Sequence, residues 1–140
     1  MKLLNYVLAL ILMSGSHAVY SLDLLKSQTS WDGGQVSYPK GQAQVTSMKV
    51  IINDNDDTKF HCHPVPTFGY ILSGTVEVET KGGKKIQFTK GDSVVEVMGT
   101  VHKGTAIGGP VEIVVFYAGS VDLPNTVMMD DDLSHKLCSG

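Results

Sequence analysis

The sequence of 140 residues predicts a single all-β domain, a small antiparallel sandwich or barrel. Three observations predict it. Between residues 35 and 119 no helical period appears. The same stretch falls into short runs rich in Val, Ile, Phe, Tyr and Thr, separated by Gly, Asp, Asn and Pro, the pattern of many short strands joined by tight turns. The length suits one domain and is short for two.

Taken in order, residues 44–52 form the first predicted strand, closed by the polar run 53–57. Residues 59–63 form a second, ended by Pro64 and Pro66. Residues 68–80 are the longest run, with a bend at Ser73-Gly74; beyond it Val76, Val78 and Thr80 alternate with Glu77 and Glu79, as a half-buried strand requires. Gly82 and Gly83 turn the chain into residues 84–89. Gly91-Asp92 turns it into 93–98, Asp92 holding its own backbone. Gly99 precedes a short run through His102, and Gly108-Gly109-Pro110 precede the last strand, 111–118. After Gly119 the pattern loosens, and Asp130 to Asp132 read as a solvated acidic turn or helix start. The oxygen-rich 53–57 run lacks the twelve-residue spacing of a calcium loop.

The N-terminus has a different composition. Lys2 is followed by an almost unbroken apolar stretch from Leu3 to Met13, then by Ser14-Gly15-Ser16-His17-Ala18, in which Ser16 and Ala18 fit the −3 and −1 positions of a signal-peptidase site. The stretch is shorter than the ~20 residues that span a bilayer. The predicted organisation is a signal peptide at 1–18, an N-terminal extension at 19–34, a barrel at 35–119 and a C-terminal tail at 120–140; an uncleaved N-terminal anchor is the rival. Cleavage implies an exported protein, periplasmic or secreted, with no membrane attachment. It removes Lys2 and takes the formal charge from −3 to −4. A mildly acidic chain without a Lys/Arg stripe has no footprint for nucleic acid. Lys81, Lys84 and Lys85 surround a Gly-Gly hairpin tip. Cys62 and Cys138 allow one intramolecular disulfide in an oxidising compartment, or two free thiols.

The chemistry concentrates in His61-Cys62-His63. On a strand, side chains alternate faces, so His61 and His63 share one face and Cys62 takes the other. Two imidazoles so placed can chelate one divalent ion such as Zn, Fe, Cu, Ni or Mn. A third ligand is needed to make such a pair specific.

The stretch resembles the first motif of the cupins, small jelly-roll barrels marked by G(x)5HxH(x)3–4E(x)6G and then G(x)5PxG(x)2H(x)3N. His61 and His63 fill HxH, and Gly74 takes the closing glycine. Gly91, Gly99 and His102 fall in register with the second motif. The resemblance covers residues 35–119 and looks like the small single-domain type. It implies a cupin jelly roll with His61, His63 and His102 as ligands of one divalent transition metal, and a homodimer, with residues 35–52 offering edge strands in need of cover. Departures are Asn55 at the first glycine, Val97 at the proline, Ala106 at the asparagine and, most consequentially, Thr67 where the motif has its glutamate.

Cupins that look like this one include dioxygenases, isomerases, decarboxylases and sugar- or signal-binding domains, and fold alone does not choose among them. The resemblance favours an exported metalloenzyme, dioxygenase-like, acting on a small oxygenated or aromatic molecule in a pocket walled by residues 68–72 and 111–116. A non-catalytic periplasmic metal- or small-ligand-binding module is the alternative, and a purely structural barrel the third. Glu96, six residues before His102, is a candidate to replace the missing carboxylate as ligand or general base if it faces inward. Tyr70 is the other catalytic candidate, with Phe68 beside it, both also readable as core or wall. Thr67 reads as a plain strand residue or a donor to a metal-bound water. His135 reads as a surface histidine.

Overall fold

A computed structural model describes residues 18–139; of the segment read as a signal peptide, all but Ala18 lies outside the described residues. The described chain forms β1 (Ala43–Ile52), β2 (His61–Cys62), β3 (Thr67–Ser73), β4 (Thr75–Thr80), β5 (Lys85–Thr89), β6 (Ser93–Val95), β7 (His102–Ala106), β8 (Val111–Ser120), β9 (Val127–Met128) and one helical turn, α1 (Ser134–Leu137). The strands make two sheets, one in the order β1-β8-β3-β6 and the other β5-β4-β7-β2-β9. All their ladders are antiparallel. This is the jelly-roll class that the sequence predicts.

Alternation builds the core. On β4, Val76, Val78 and Thr80 are buried while Glu77 and Glu79 face out, where Lys85 meets both carboxylates. Ile52, Ile71, Val76, Val78, Phe88, Val94, Ala106 and Val111 form one buried cluster between the sheets, and Trp31 packs against it. At the β3–β4 bend Gly74 has φ +78°, and a Cβ there would run into the Pro110 carbonyl. Only glycine fits both demands at once. The Asp92 turn forms as expected, its carboxylate accepting from the Thr89 N–H at 2.7 Å.

Parts of the chain differ from the sequence reading. The 59–63 run keeps only two ladder residues, because the prolines end it and Lys59 has φ +60°. The 93–98 run leaves the ladder at Val95, and His102 begins a strand instead of ending one, since β7 pairs along its length with β4. The tail is the largest difference. Val127 is fully buried on β9 beside β2, and Cys138 is disulfide-bonded to Cys62 across 76 residues of sequence. The extension also docks, the Trp31 N–H donating to the Val95 carbonyl at 3.1 Å. No helix among the described residues is long and apolar enough to cross a membrane.

Candidate metal centre

β2 is two residues long, yet it is held on both sides. His61 pairs with His102 of β7 on one flank and Met128 of β9 on the other. Just past its end His63 bridges Met98, and its carbonyl accepts from the Gly99 N–H at 2.8 Å. Alternation then has the predicted effect: Cys62 turns outward to its disulfide, and His61 and His63 turn inward. The three rings of His61, His63 and His102 lie with centroids 4.5 to 5.0 Å apart. Their ligand nitrogens all fall within 4.8 Å of one another.

Each imidazole is aimed from behind. His61 Nδ1 lies 2.9 Å from the Lys59 carbonyl, His63 Nδ1 2.9 Å from the Asn125 carbonyl, and His102 Nδ1 2.8 Å from the Thr100 carbonyl. A carbonyl only accepts, so each Nδ1 carries the proton and donates. In a neutral ring that leaves Nε2 with its lone pair free for a metal. Thr126 adds its hydroxyl 3.2 Å from His63 Nδ1.

Electrostatics keep the rings neutral. Burial, reinforced by the neighbouring His102, lowers the pKa of His61. Burial, then His61 and His102, holds His63 well below the ordinary value. Burial lowers His102 too, against the opposing pull of the Thr100 carbonyl. Three neutral, buried, convergent imidazoles are the donor set that a divalent first-row metal takes. The residues therefore fit the metal that the sequence reading expects.

Glu96 does face inward. Its Oε2 is 3.7 Å from His102 Nε2 and is buried without a hydrogen-bond partner among the described residues. Burial raises its pKa, partly offset by His61 and by the Trp31 indole N–H, although that N–H stops short of hydrogen-bond geometry. Thr67 is buried at the glutamate's place in the motif, but its hydroxyl donates to the Val65 carbonyl at 3.0 Å. Tyr70 does not reach the site. On β3, Thr67, Gly69 and Ile71 line the interior, while Phe68 and Tyr70 lie on the outer face with Leu22, Leu24, Leu25 and Phe116. The catalytic reading of Tyr70 is thus corrected by strand parity. The inward tyrosine is Tyr117, opposite Thr67 on β8, with its ring 5.5 Å from His63. Burial raises its pKa, with Thr126 opposing. His135 is exposed, as expected.

The histidines open into a cavity of about 230 Å³ between the two sheets. Its walls include Gly69 and Ile71 of β3 and Ile113 and Val115 of β8, from the two strands expected to wall it. Met48, Thr126 and Met128 line it and are also exposed, so they mark its mouth, between the edge strands β1 and β9.

Comparison with known structures agrees on the fold. The DMSP lyase DddQ of Ruegeria pomeroyi is 22% identical with a TM-score of 0.54, over 63% of this chain and 44% of that one. A deletion mutant of the Bacillus subtilis oxalate decarboxylase OxdC is 18% identical with a TM-score of 0.54, over 66% of this chain and 26% of that one. A cupin-like protein of Thermotoga maritima is 18% identical with a TM-score of 0.52, over 69% of this chain and 74% of that one. The chain thus spans less than half the length of the two enzymes. No curated protein sequence matches. The family model of the cupin domain matches residues 48–117, half of the chain, from within β1 to within β8 and across all three histidines. The chain belongs to the cupin family.

Proposed function

We propose that the chain is an exported metalloenzyme that binds one divalent transition metal through His61, His63 and His102 and acts on a small oxygenated or aromatic molecule, with dioxygenation as the leading reaction class. The observation that carries this reading is the convergence of three imidazoles, each with Nδ1 committed to a carbonyl, on a largely apolar cavity. A divalent metal bound there supplies Lewis acidity or, if redox-active, electron transfer to dioxygen. The chain's residues do the rest. The histidines present Nε2, the apolar walls exclude water, and Glu96 holds or accepts a proton at Oε2 beside His102. Its raised pKa brings that carboxyl closer to neutral pH, where proton transfer is most effective.

A second reading, isomerisation by proton transfer without dioxygen, is favoured by the same carboxyl. Elemental analysis of the exported protein beside a His61→Ala/His102→Ala variant, followed by oxygen-uptake assays with phenolic and enol compounds, separates the readings. Near-stoichiometric Fe or Mn with oxygen uptake supports dioxygenation. Zn without uptake supports the isomerase or a binding module. No metal in either folded protein overturns the metal reading.

Export is supported by the signal-like N-terminus and by the disulfide, which persists in oxidising compartments. A homodimer is supported by the exposed apolar side chains Val45, Ile51 and Phe116 on the outer face of the β1-β8-β3-β6 sheet. Sedimentation velocity tests it.

A further inference from the structure

We propose that the cavity selects a small molecule with one oxygen-bearing head and an uncharged apolar body, and rejects molecules charged at both ends. The placement of the head rests on the metal reading above, whereas the exclusion at the far end follows from the walls alone.

Strand register makes the cavity two-ended. Thr67 lies opposite Tyr117, Thr80 opposite His102, and the Glu96 N–H donates to the Thr67 carbonyl. These pairings set the ionisable groups at one level. Four residues further along β3, Ile71 lies opposite Ile113, and four further along β4 and β7, Val76 lies opposite Ala106. Four residues of strand span about 13 Å. Among the described residues no Lys or Arg lines the cavity, and the ionisable side chains that line it are the three histidines, Glu96 and Tyr117. A second charge would therefore end among Ile71, Val76, Phe88 and Ile113 with no partner, a placement that opposes binding strongly.

Size narrows the class. A cavity of 150 Å³ holds benzene, so about 230 Å³ holds about nine non-hydrogen atoms. The mouth adds tolerance at the histidine end. Met128 pairs with His61, and methionine side chains adapt to varied shapes.

The test uses straight-chain acids of one or two charges on the zinc-loaded full chain at pH 7.5, with zinc measured in the same sample. Propanoate, butanoate, pentanoate and hexanoate are titrated beside adipate. Heat of binding and the fluorescence of Trp31, the one tryptophan of the chain, report occupancy. Affinity is expected to rise about fourfold per methylene up to hexanoate, with adipate at least tenfold weaker than hexanoate. A flat dependence on chain length, equal or tighter binding of adipate, or no binding of any acid overturns the proposal. If zinc is absent, the metal reading fails. The chain-length series, followed by Trp31 fluorescence in the metal-free protein, then still decides the cavity proposal.

Discussion

His61 and His102 sit directly opposite one another across the β2–β7 ladder, with their ring centroids 4.5 Å apart. A third imidazole from His63 completes a buried cluster in which any proton would be poorly solvated and close to two other rings. The cluster's titration should therefore be visible in the stability of the metal-free protein.

All three histidines have folded pKa values below the ordinary 6.5. Below about pH 6.5 the unfolded chain binds protons that the folded chain refuses, so stability is full above that value and falls as pH drops. Glu96 has the opposite slope, because its raised pKa favours folding at low pH and that contribution is lost as pH rises. Three histidines outweigh one carboxyl between pH 7.5 and 5.5. Urea unfolding of the metal-free protein should give a lower midpoint at pH 5.5 than at 7.5, and His63→Gln should shrink the difference. An equal or higher midpoint at pH 5.5 would rule this out.

Glu96→Gln keeps the side chain's shape and removes its charge. Metal content should stay within about threefold of wild type, since the three imidazoles are untouched. Turnover, once a substrate is found, should fall by about 10²- to 10⁴-fold, the usual worth of a positioned acid or base. Full activity in this variant would remove Glu96 from the chemistry.

The Cys62–Cys138 disulfide closes a loop of 76 residues, for which the chain-entropy model gives about 4 kcal/mol of stabilisation. It also anchors the segment whose backbone braces the site. Ser139 donates to the Gly99 carbonyl at 2.7 Å and accepts from Val101 at 2.9 Å, on either side of Thr100, whose carbonyl aims His102. A Cys62→Ala/Cys138→Ala variant should lose about 2–4 kcal/mol in chemical denaturation. It should also bind zinc about tenfold or more weakly, as loss of ligand-orienting contacts does. Unchanged zinc affinity would separate the tail from the site.

Gly74→Ala should destabilise by more than about 2 kcal/mol, combining a positive φ with a collision at the Pro110 carbonyl. Gly83→Ala is the control. Its φ is +88° but no atom of the described residues lies within 4 Å of a Cβ there, so its cost should stay near 1 kcal/mol. Denaturant melts of the two variants compare them directly.

The sequence made much of this centre legible. The one-residue skip between His61 and His63, with Gly74 and His102 in register with the cupin motifs, marks all three imidazoles in the sequence itself. Parity also fixed the outward turn of Cys62. It could not be carried across Pro64-Val65-Pro66, however, because the chain leaves the ladder between β2 and β3. The sequence therefore leaves Tyr70 a candidate, and only the pairing of Tyr117 with Thr67 brings Tyr117 to the site. The Asn125 carbonyl left no trace in the sequence, because any residue offers a carbonyl. Val127 and Met128 carry no such signal, because a strand of two residues has no period. Glu96 could be suspected but not placed, since the irregular chain between β6 and β7 breaks the alternation.

The docked tail also sets an order of events during synthesis. His61, His63 and His102 all emerge before Asn125, whose carbonyl turns His63, and before Cys138 and Ser139, which fasten Cys62 and Gly99. A nascent chain halted short of residue 125 would carry all three histidines and lack the groups that aim and clamp them. Possessing the histidines and possessing the site are separate stages in this protein's making, and the second waits for the segment through Ser139 to be translated and folded back.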